Sequence, residues 1–305
     1  RKLHRTLIKN GASDVLFLSR EGQFLKEIFD NYQCWAGLKI VNSHYLMTSR
    51  RASLLPALAT HDKPSYKKLL DQYPSQSIET FLRSLSLDSH SQYLKDSFPE
   101  VDFNRVHNDI QDSADFCKIT ESKIFHDVLR AESLSAKTYF DDYLDGLVGS
   151  QSPIHIVDVG WKGSIQDNIQ EATKRTVVGY YCGLLPGAKT NVDNLKSGLL
   201  FENITNNVFG TPIFNEFRAA FEIFCGASHG SVIRYTDTKP FVVLDNNEVE
   251  LSIFKDQIRP LQKSILGVIE DLTRLEERYS LPFSDVERYI VSYFTRCVLM
   301  PSAQE

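Results

Sequence analysis

Across 305 residues, apolar side chains make up 42% and charged ones 24%, the balance of an ordinary globular protein with one large domain or two modest ones. A net charge of −5 excludes a general nucleic-acid-binding surface, though not a local basic pocket for a small polyanion. The five cysteines are scattered, with no CxxC and no zinc-type Cys/His spacing, so neither a zinc site nor a disulfide framework is expected.

Taken in chain order, Asp14 to Ser19, "DVLFLS", reads as a short buried strand that breaks at Arg20-Glu21-Gly22. Phe24, Leu25, Ile28, Phe29 and Tyr32 then follow helical spacing. "LKIVNSHYLM", Leu38 to Met47, predicts a second strand ending at Thr48-Ser49-Arg50-Arg51. Roughly a hundred residues of helical pattern follow, including "SIETFLRSL" and "SKIFHDVLRAESLSAKTYFDDYLDGL". A structureless loop of that length is improbable, so residues 62–148 predict a helical insert in a sheet domain made of 1–61 and 149–200.

Ile154 to Val159 predicts a third strand, followed at once by a helix with Ile165, Ile169 and Ala172 on one face. "VVGYYCGLL", Val177 to Leu185, predicts a fourth. Beyond it the chain reads as looser through Pro212, and the sequon at Asn203-Ile204-Thr205 is taken as accidental. "SVIRYTDTKPFVVLDNNEVEL" reads as an antiparallel hairpin or meander. Two helices close the chain, the second opened by a capping box at Ser284-Asp285-Val286-Glu287. Residues 201–305 are thus expected to add a hairpin and terminal helices on the acceptor side. Strands of continuous apolar residues alternating with helices predict an α/β fold, a parallel sheet covered by helices on both faces.

No apolar run approaches the roughly 20 residues needed to span a bilayer, and no signal peptide is read. The expectation is a cytoplasmic protein, with peripheral attachment at an inner membrane as an option. The chain opens at Arg1 without a Met, which fits a trimmed chain or one part of a longer protein.

Ligands of open parallel sheets sit at the carboxyl ends of the strands. Three such ends here carry ionisable residues: "SREG" at 19–22, "TSRR" at 48–51 and "DVGWKGS" at 158–164. Three arginines and a lysine at one edge suit an anion. The turn Gly160–Ser164, feeding a helix, offers free backbone N–H groups and the positive end of the helix dipole. Asp158 cannot attract phosphate. It fits as an acceptor for sugar hydroxyls or as an indirect holder of Mg²⁺, and the bland alternative is a loop cap. No GxGxxG follows the first strand and no GxxxxGK[ST] loop occurs, which argues against a dinucleotide fold and a P-loop.

On these residues the chain resembles type I phosphoribosyltransferases, which hold a 5-phosphate in a loop after a buried strand. "IHIVDVGWKGSIQ" follows that outline, with Asp158 matching the second acid, Val159 the Val and Gly163 the Gly. Val157 replaces the first acid, Lys162 a Thr, and Ile165 the last Thr, so Ser164 and Gln166 are the stand-in contacts. More specifically, "FLSREGQ", "YLMTSRRA", "DVGWKGSIQ" and "EIFCGASHGS" resemble, in order, motifs of a family associated with bacterial surface-polysaccharide synthesis. Its members are often fused to or encoded beside a phosphatase of the haloacid-dehalogenase superfamily.

The resemblance implies transfer of ribose 5-phosphate from phosphoribosyl pyrophosphate to a sugar hydroxyl of a glycan, lipid-linked or not. The partner phosphatase then removes the phosphate. No DxDx[TV] phosphatase motif occurs here, so the chain would be the transferase alone. Arg20, the backbone at Glu21-Gly22, Arg50 and Arg51, with Mg²⁺, would face pyrophosphate. Gly160, Trp161, Lys162, Gly163 and Ser164 would surround the 5-phosphate and ribose.

An acceptor hydroxyl also needs a base, for which Asp158, Glu21, Glu222 and His229 are the candidates, a carboxylate being favoured. Trp161 can wall the ribose pocket, stack on the acceptor or simply pack in the core. The acceptor site is expected along 62–148 and 200–240. Two other readings stay open: a non-catalytic phosphosugar-binding module, and a glycosyltransferase using a nucleotide sugar.

Overall fold

The computed structural model describes residues 1–61, 66–150, 152–202, 213, 216–279, 282–300 and 302. Five strands, β1 (Asp14–Leu18), β2 (Asn42–Leu46), β3 (Ile154–Asp158), β4 (Val177–Leu184) and β5 (Asn194–Glu202), form one sheet. All neighbours are parallel, in the order β2-β1-β3-β4-β5. The expected α/β fold is therefore the observed one.

Period-2 alternation sends β1 side chains to opposite cores. Val15 and Phe17 pack with Leu7 of α1 (Lys2–Lys9) and Phe29 of α2 (Gly22–Trp35). Leu16 and Leu18 pack on the other face. Their partners include Ala52 of α3 (Arg50–Leu58), Phe140 and Leu144 of α8 (Lys123–Val148), and Ile169 of α9 (Ser164–Thr173). Every residue of β3 is buried, as a central parallel strand requires.

Between β2 and β3 the helices α4 (Lys67–Gln72), α5 (Ile78–Ser84), α6 (Ser91–Ser97), α7 (Ala114–Thr120) and α8 surround a cluster of their own. Phe81, Phe116 and Phe125 lie at its centre, with Phe81 and Phe116 edge to face at 4.9 Å. After β5 come α10 (Arg218–Phe224), the antiparallel hairpin β6 (Ser231–Tyr235) and β7 (Val242–Asp245), and α11 (Glu248–Ile253). The chain closes with α12 (Arg259–Tyr279) and α13 (Phe283–Leu299). No helix among the described residues is long and apolar enough to cross a membrane.

Four local expectations are corrected. The second strand starts at Asn42, because the Gln33 side chain binds both the N–H and the C=O of Val41. The segment read as loose holds β5, whose polarity is inverted: Asn194 and Lys196 face inward while Leu195 is 46% exposed. Glu248–Ile253 is helix, not hairpin, because Asn247 caps it by accepting from the N–H groups of Val249 and Glu250. The last helix opens at Phe283, two residues before the capping box would start it. The sequon lies outside the described residues.

Candidate functional site

The strand order reverses between β1 and β3, so the crevice beyond their carboxyl ends is where such a sheet takes a ligand. The turns Arg20-Glu21-Gly22 and 158–164 meet there. The peptides Ser19–Arg20 and Gly160–Trp161 are both cis. Gly22 is required because a Cβ would come within 2.9 Å of the Phe17 carbonyl carbon. Gly163 is held at φ +69, and a Cβ there would meet the Tyr181 hydroxyl at 2.7 Å.

The loop after β3 is anchored through its carbonyls. Val159 O accepts from Gly183 N at 3.2 Å, and Trp161 O accepts from Leu185 N at 2.8 Å. Lys162 O accepts from the Lys196 ammonium at 3.2 Å, and that ammonium also pairs with Asp167 at 2.5 Å. The amides are left over: among the described residues, no backbone N–H from Gly160 to Ser164 donates a hydrogen bond. With Gly163 in the cap position and no side-chain cap on α9, this end of the helix keeps donors for an anion.

Asp158 closes β3, 8% exposed, with Oδ1 accepting from Val159 N at 2.8 Å. The loop-cap alternative is thus present in part. Burial pushes its carboxyl up to about 8, helped by the Glu21 and Glu222 charges and opposed by the Val159 N–H and Arg50. Asp158, Glu21, Glu222 and Arg50 therefore share one electrostatic neighbourhood. Arg50 is exposed at the start of α3, and its side chain makes no hydrogen bond or ion pair among the described residues. Burial beside Asp158 also pushes the Cys182 thiol up to about 12, so that cysteine is a packing residue.

Trp161 serves the core and the site together. Its ring stacks on Phe201 at 5.8 Å and its indole N–H donates to Glu222 at 2.8 Å, which ties α10 to the loop. Arg20 leans the other way, with long contacts to Ser231 at 3.4 Å and Glu250 at 3.5 Å. His229 Nε2 pairs with the Tyr45 hydroxyl at 2.7 Å, and that hydroxyl lies 3.3 Å from the Arg20 carbonyl. Lys162 and Ser164 have exposed side chains at the rim.

Two expected contacts are not brought to this point. Arg51 turns to the helical side, donating to Ser86 at 3.0 Å and pairing with Asp88 at 2.7 Å. Gln166 is fully buried, donating to Val177, Asn194 and Leu195 and accepting from Tyr181, so its amide is consumed within the sheet. Sequence reasoning missed Tyr45 and Lys196. Tyr45 was legible as one of four polar residues in a row inside a strand. Lys196 was legible only as a lone cation in a segment too weakly patterned to suggest burial.

Among the described residues no cluster of three or more His, Cys, Asp or Glu could cage a metal ion. Asp158 and Glu21 place hard oxygen donors at this point, and an incoming Mg²⁺ would have to displace the proton that burial holds on Asp158. Scans of the chain against profiles of known protein families and against curated proteins found no match.

Proposed function

We propose that this protein transfers ribose 5-phosphate from phosphoribosyl pyrophosphate to a sugar hydroxyl of a bacterial glycan. The observation that carries the reading is the pairing, at the switch point of the sheet, of unused loop amides with a buried aspartate and an unpaired arginine. The amides of Gly160–Ser164 suit the 5-phosphate, Asp158 the ribose hydroxyls, and Arg50 with Arg20 the pyrophosphate. Mg²⁺, when bound, would supply charge neutralisation for the leaving group.

In the reaction the bond from ribose C1 to pyrophosphate oxygen breaks and a bond from C1 to the acceptor oxygen forms. The acceptor's proton passes to a carboxylate, for which Asp158 is suited: with its acid strength pushed to about 8, it is basic enough once ionised. Glu21 and Glu222 are the other candidates of this group. Arg20 and Arg50 hold the departing charge, and the fixed loop sets the angle of attack. A haloacid-dehalogenase-type phosphatase acting next, cytoplasmic location and an acceptor at the inner membrane belong to the same proposal.

The test is direct. Protein, Mg²⁺, phosphoribosyl pyrophosphate and a synthetic glycan acceptor are mixed, and mass spectrometry looks for acceptor gaining one phosphoribosyl unit. The product is expected with the wild type and lost with Asp158→Ala. A second reading, a phosphosugar-binding module, draws on the same Asp158, because a carboxyl kept protonated at neutral pH donates a hydrogen bond and takes no proton. Tight binding without Mg²⁺ and without product would select it.

A further inference from the structure

One helix face remains unexplained by the strand-end site. On α2 the residues Gln23, Lys26, Glu27, Asp30 and Asn31 recur at i, i+3, i+4, i+7 and i+8, a single polar stripe. The polar stripe of a helix packed on a sheet ordinarily faces water. Here it forms one wall of a cleft of about 590 Å³, within the ~300–1,000 Å³ range of ordinary ligand sites. The opposite wall holds Ser228, Phe254, Arg259 and Gln262.

The cleft is built but not filled. Arg259 spans it with two hydrogen bonds to Glu27, at 2.6 and 2.9 Å. Lys26 pairs with Asp30 at 2.7 Å. Gln23 exchanges hydrogen bonds with Ser228, accepting from its N–H at 2.8 Å and donating to its hydroxyl at 3.0 Å. Gln262, only 1% exposed, is spent on the carbonyls of Phe224 and Gly226. Two cations and two carboxylates cancel, so no net charge is left to attract an anion. The Asn31 side chain makes no hydrogen bond among the described residues. Amides, a hydroxyl, neutralised ion pairs that can still donate and accept, and the ring of Phe254 suit an uncharged ligand rich in hydroxyl groups.

Its position ties the cleft to the strand-end site. Gln23 directly follows Gly22 of the Arg20-Glu21-Gly22 turn, and Ser228 directly precedes His229, which holds Tyr45 against the Arg20 carbonyl. The geometry points to this cleft as a binding site for a neutral oligosaccharide, oriented to present a hydroxyl to the Asp158 edge. As the acceptor's subsite it rests on the phosphoribosyl-transfer reading; as an oligosaccharide site it does not. Of the two segments expected to hold the acceptor, 62–148 and 200–240, the cleft keeps the second through Ser228 and replaces the first with the groove between α2 and the start of α12.

The test uses the full chain and a panel of neutral trisaccharides built from glucose, galactose, mannose or rhamnose, screened by saturation-transfer NMR and then titrated. At least one trisaccharide binds the wild type, and a hexuronate-containing counterpart binds at least tenfold more weakly. Asn31→Trp, at a partly exposed position whose side chain bonds to no described residue, weakens the neutral ligand at least tenfold. Its circular dichroism matches the wild type, and its affinity for phosphoribosyl pyrophosphate with Mg²⁺ stays within twofold. Binding by no member of the panel, or equal affinity in Asn31→Trp, overturns the inference. Trisaccharide binding without phosphoribosyl pyrophosphate binding keeps this site and removes the transferase reading.

Discussion

Helices α5, α7 and α8 of the 66–148 segment end differently at their N-termini from α2 and α9 at the sheet edge, although α4 and α6 of that segment also lack a side-chain cap and α3 at the edge is capped by Ser49. In the first region α5, α7 and α8 are each closed by a serine, Ser77, Ser113 and Ser122, which accepts from the amide three residues on. At the sheet edge, α2 and α9 have no side-chain cap, and the approach to α9 keeps a run of unused amides. Neighbouring arginines repeat the contrast: the Arg51 side chain is spent on Ser86 and Asp88, whereas the Arg50 side chain makes no hydrogen bond or ion pair among the described residues. The 66–148 segment also leaves polar atoms over, the Tyr66 hydroxyl and Gln76 Oε1 being buried without a partner, but among its described residues no buried acid stands beside free donors. The sheet edge leaves donors and a buried acid beside each other, and on the proposed reading these hold the ligand.

Several substitutions would break or sharpen that contrast. Asp158→Ala should reduce phosphoribosyl transfer by about 10²–10⁴-fold while urea unfolding shows an intact fold, and full activity would remove Asp158 from the site. Lys196→Met removes the wholly buried ammonium from Asp167 and Lys162. It should cost about 3–5 kcal/mol by denaturant titration and loosen the phosphate loop. Arg50→Ala is expected to weaken phosphoribosyl pyrophosphate at least tenfold by calorimetry, about 1.4 kcal/mol. Arg51→Ala should leave that affinity unchanged and lower stability instead.

The pH dependence follows from the Asp158 carboxyl, raised to about 8 from an ordinary 3.8 by burial. Between those values the native chain holds a proton that the unfolded chain has lost, so stability falls as pH rises through that window and levels off above it. Asp158→Asn escapes this loss. Its melting-temperature advantage should grow from pH 4 to pH 8, by roughly 2–4 °C for each kcal/mol released; a constant difference would contradict the burial argument. Smallest is Ser122→Ala, about 1 kcal/mol by thermal unfolding, with ligand affinity untouched.

Much of the sheet was legible because β1, β3 and β4 are buried on both faces and read as continuous apolar runs. β5 was not, since two of its three buried residues are Asn194 and Lys196, which anchor α9, and Phe201 alone is apolar. Strand-end chemistry was visible as residue types, yet sequence could not separate Arg50 from Arg51. That depends on which way each side chain leaves the first turn of α3. Gln166 misled for a related reason: one turn into α9, an amide can face either the loop or the sheet, and here it faces the sheet. The polar stripe on α2 was equally visible and looked like an ordinary solvent face, because the covering residues 228 and 254–262 lie some 200 residues further along the chain.

The most direct test follows the backbone amides of Gly160 to Ser164 by NMR as phosphoribosyl pyrophosphate with Mg²⁺ is added. Saturable shifts centred on those five amides, lost in Arg50→Ala, are the result the proposed phosphoribosyl transfer predicts. Saturable shifts that leave these amides unmoved and gather elsewhere would contradict it.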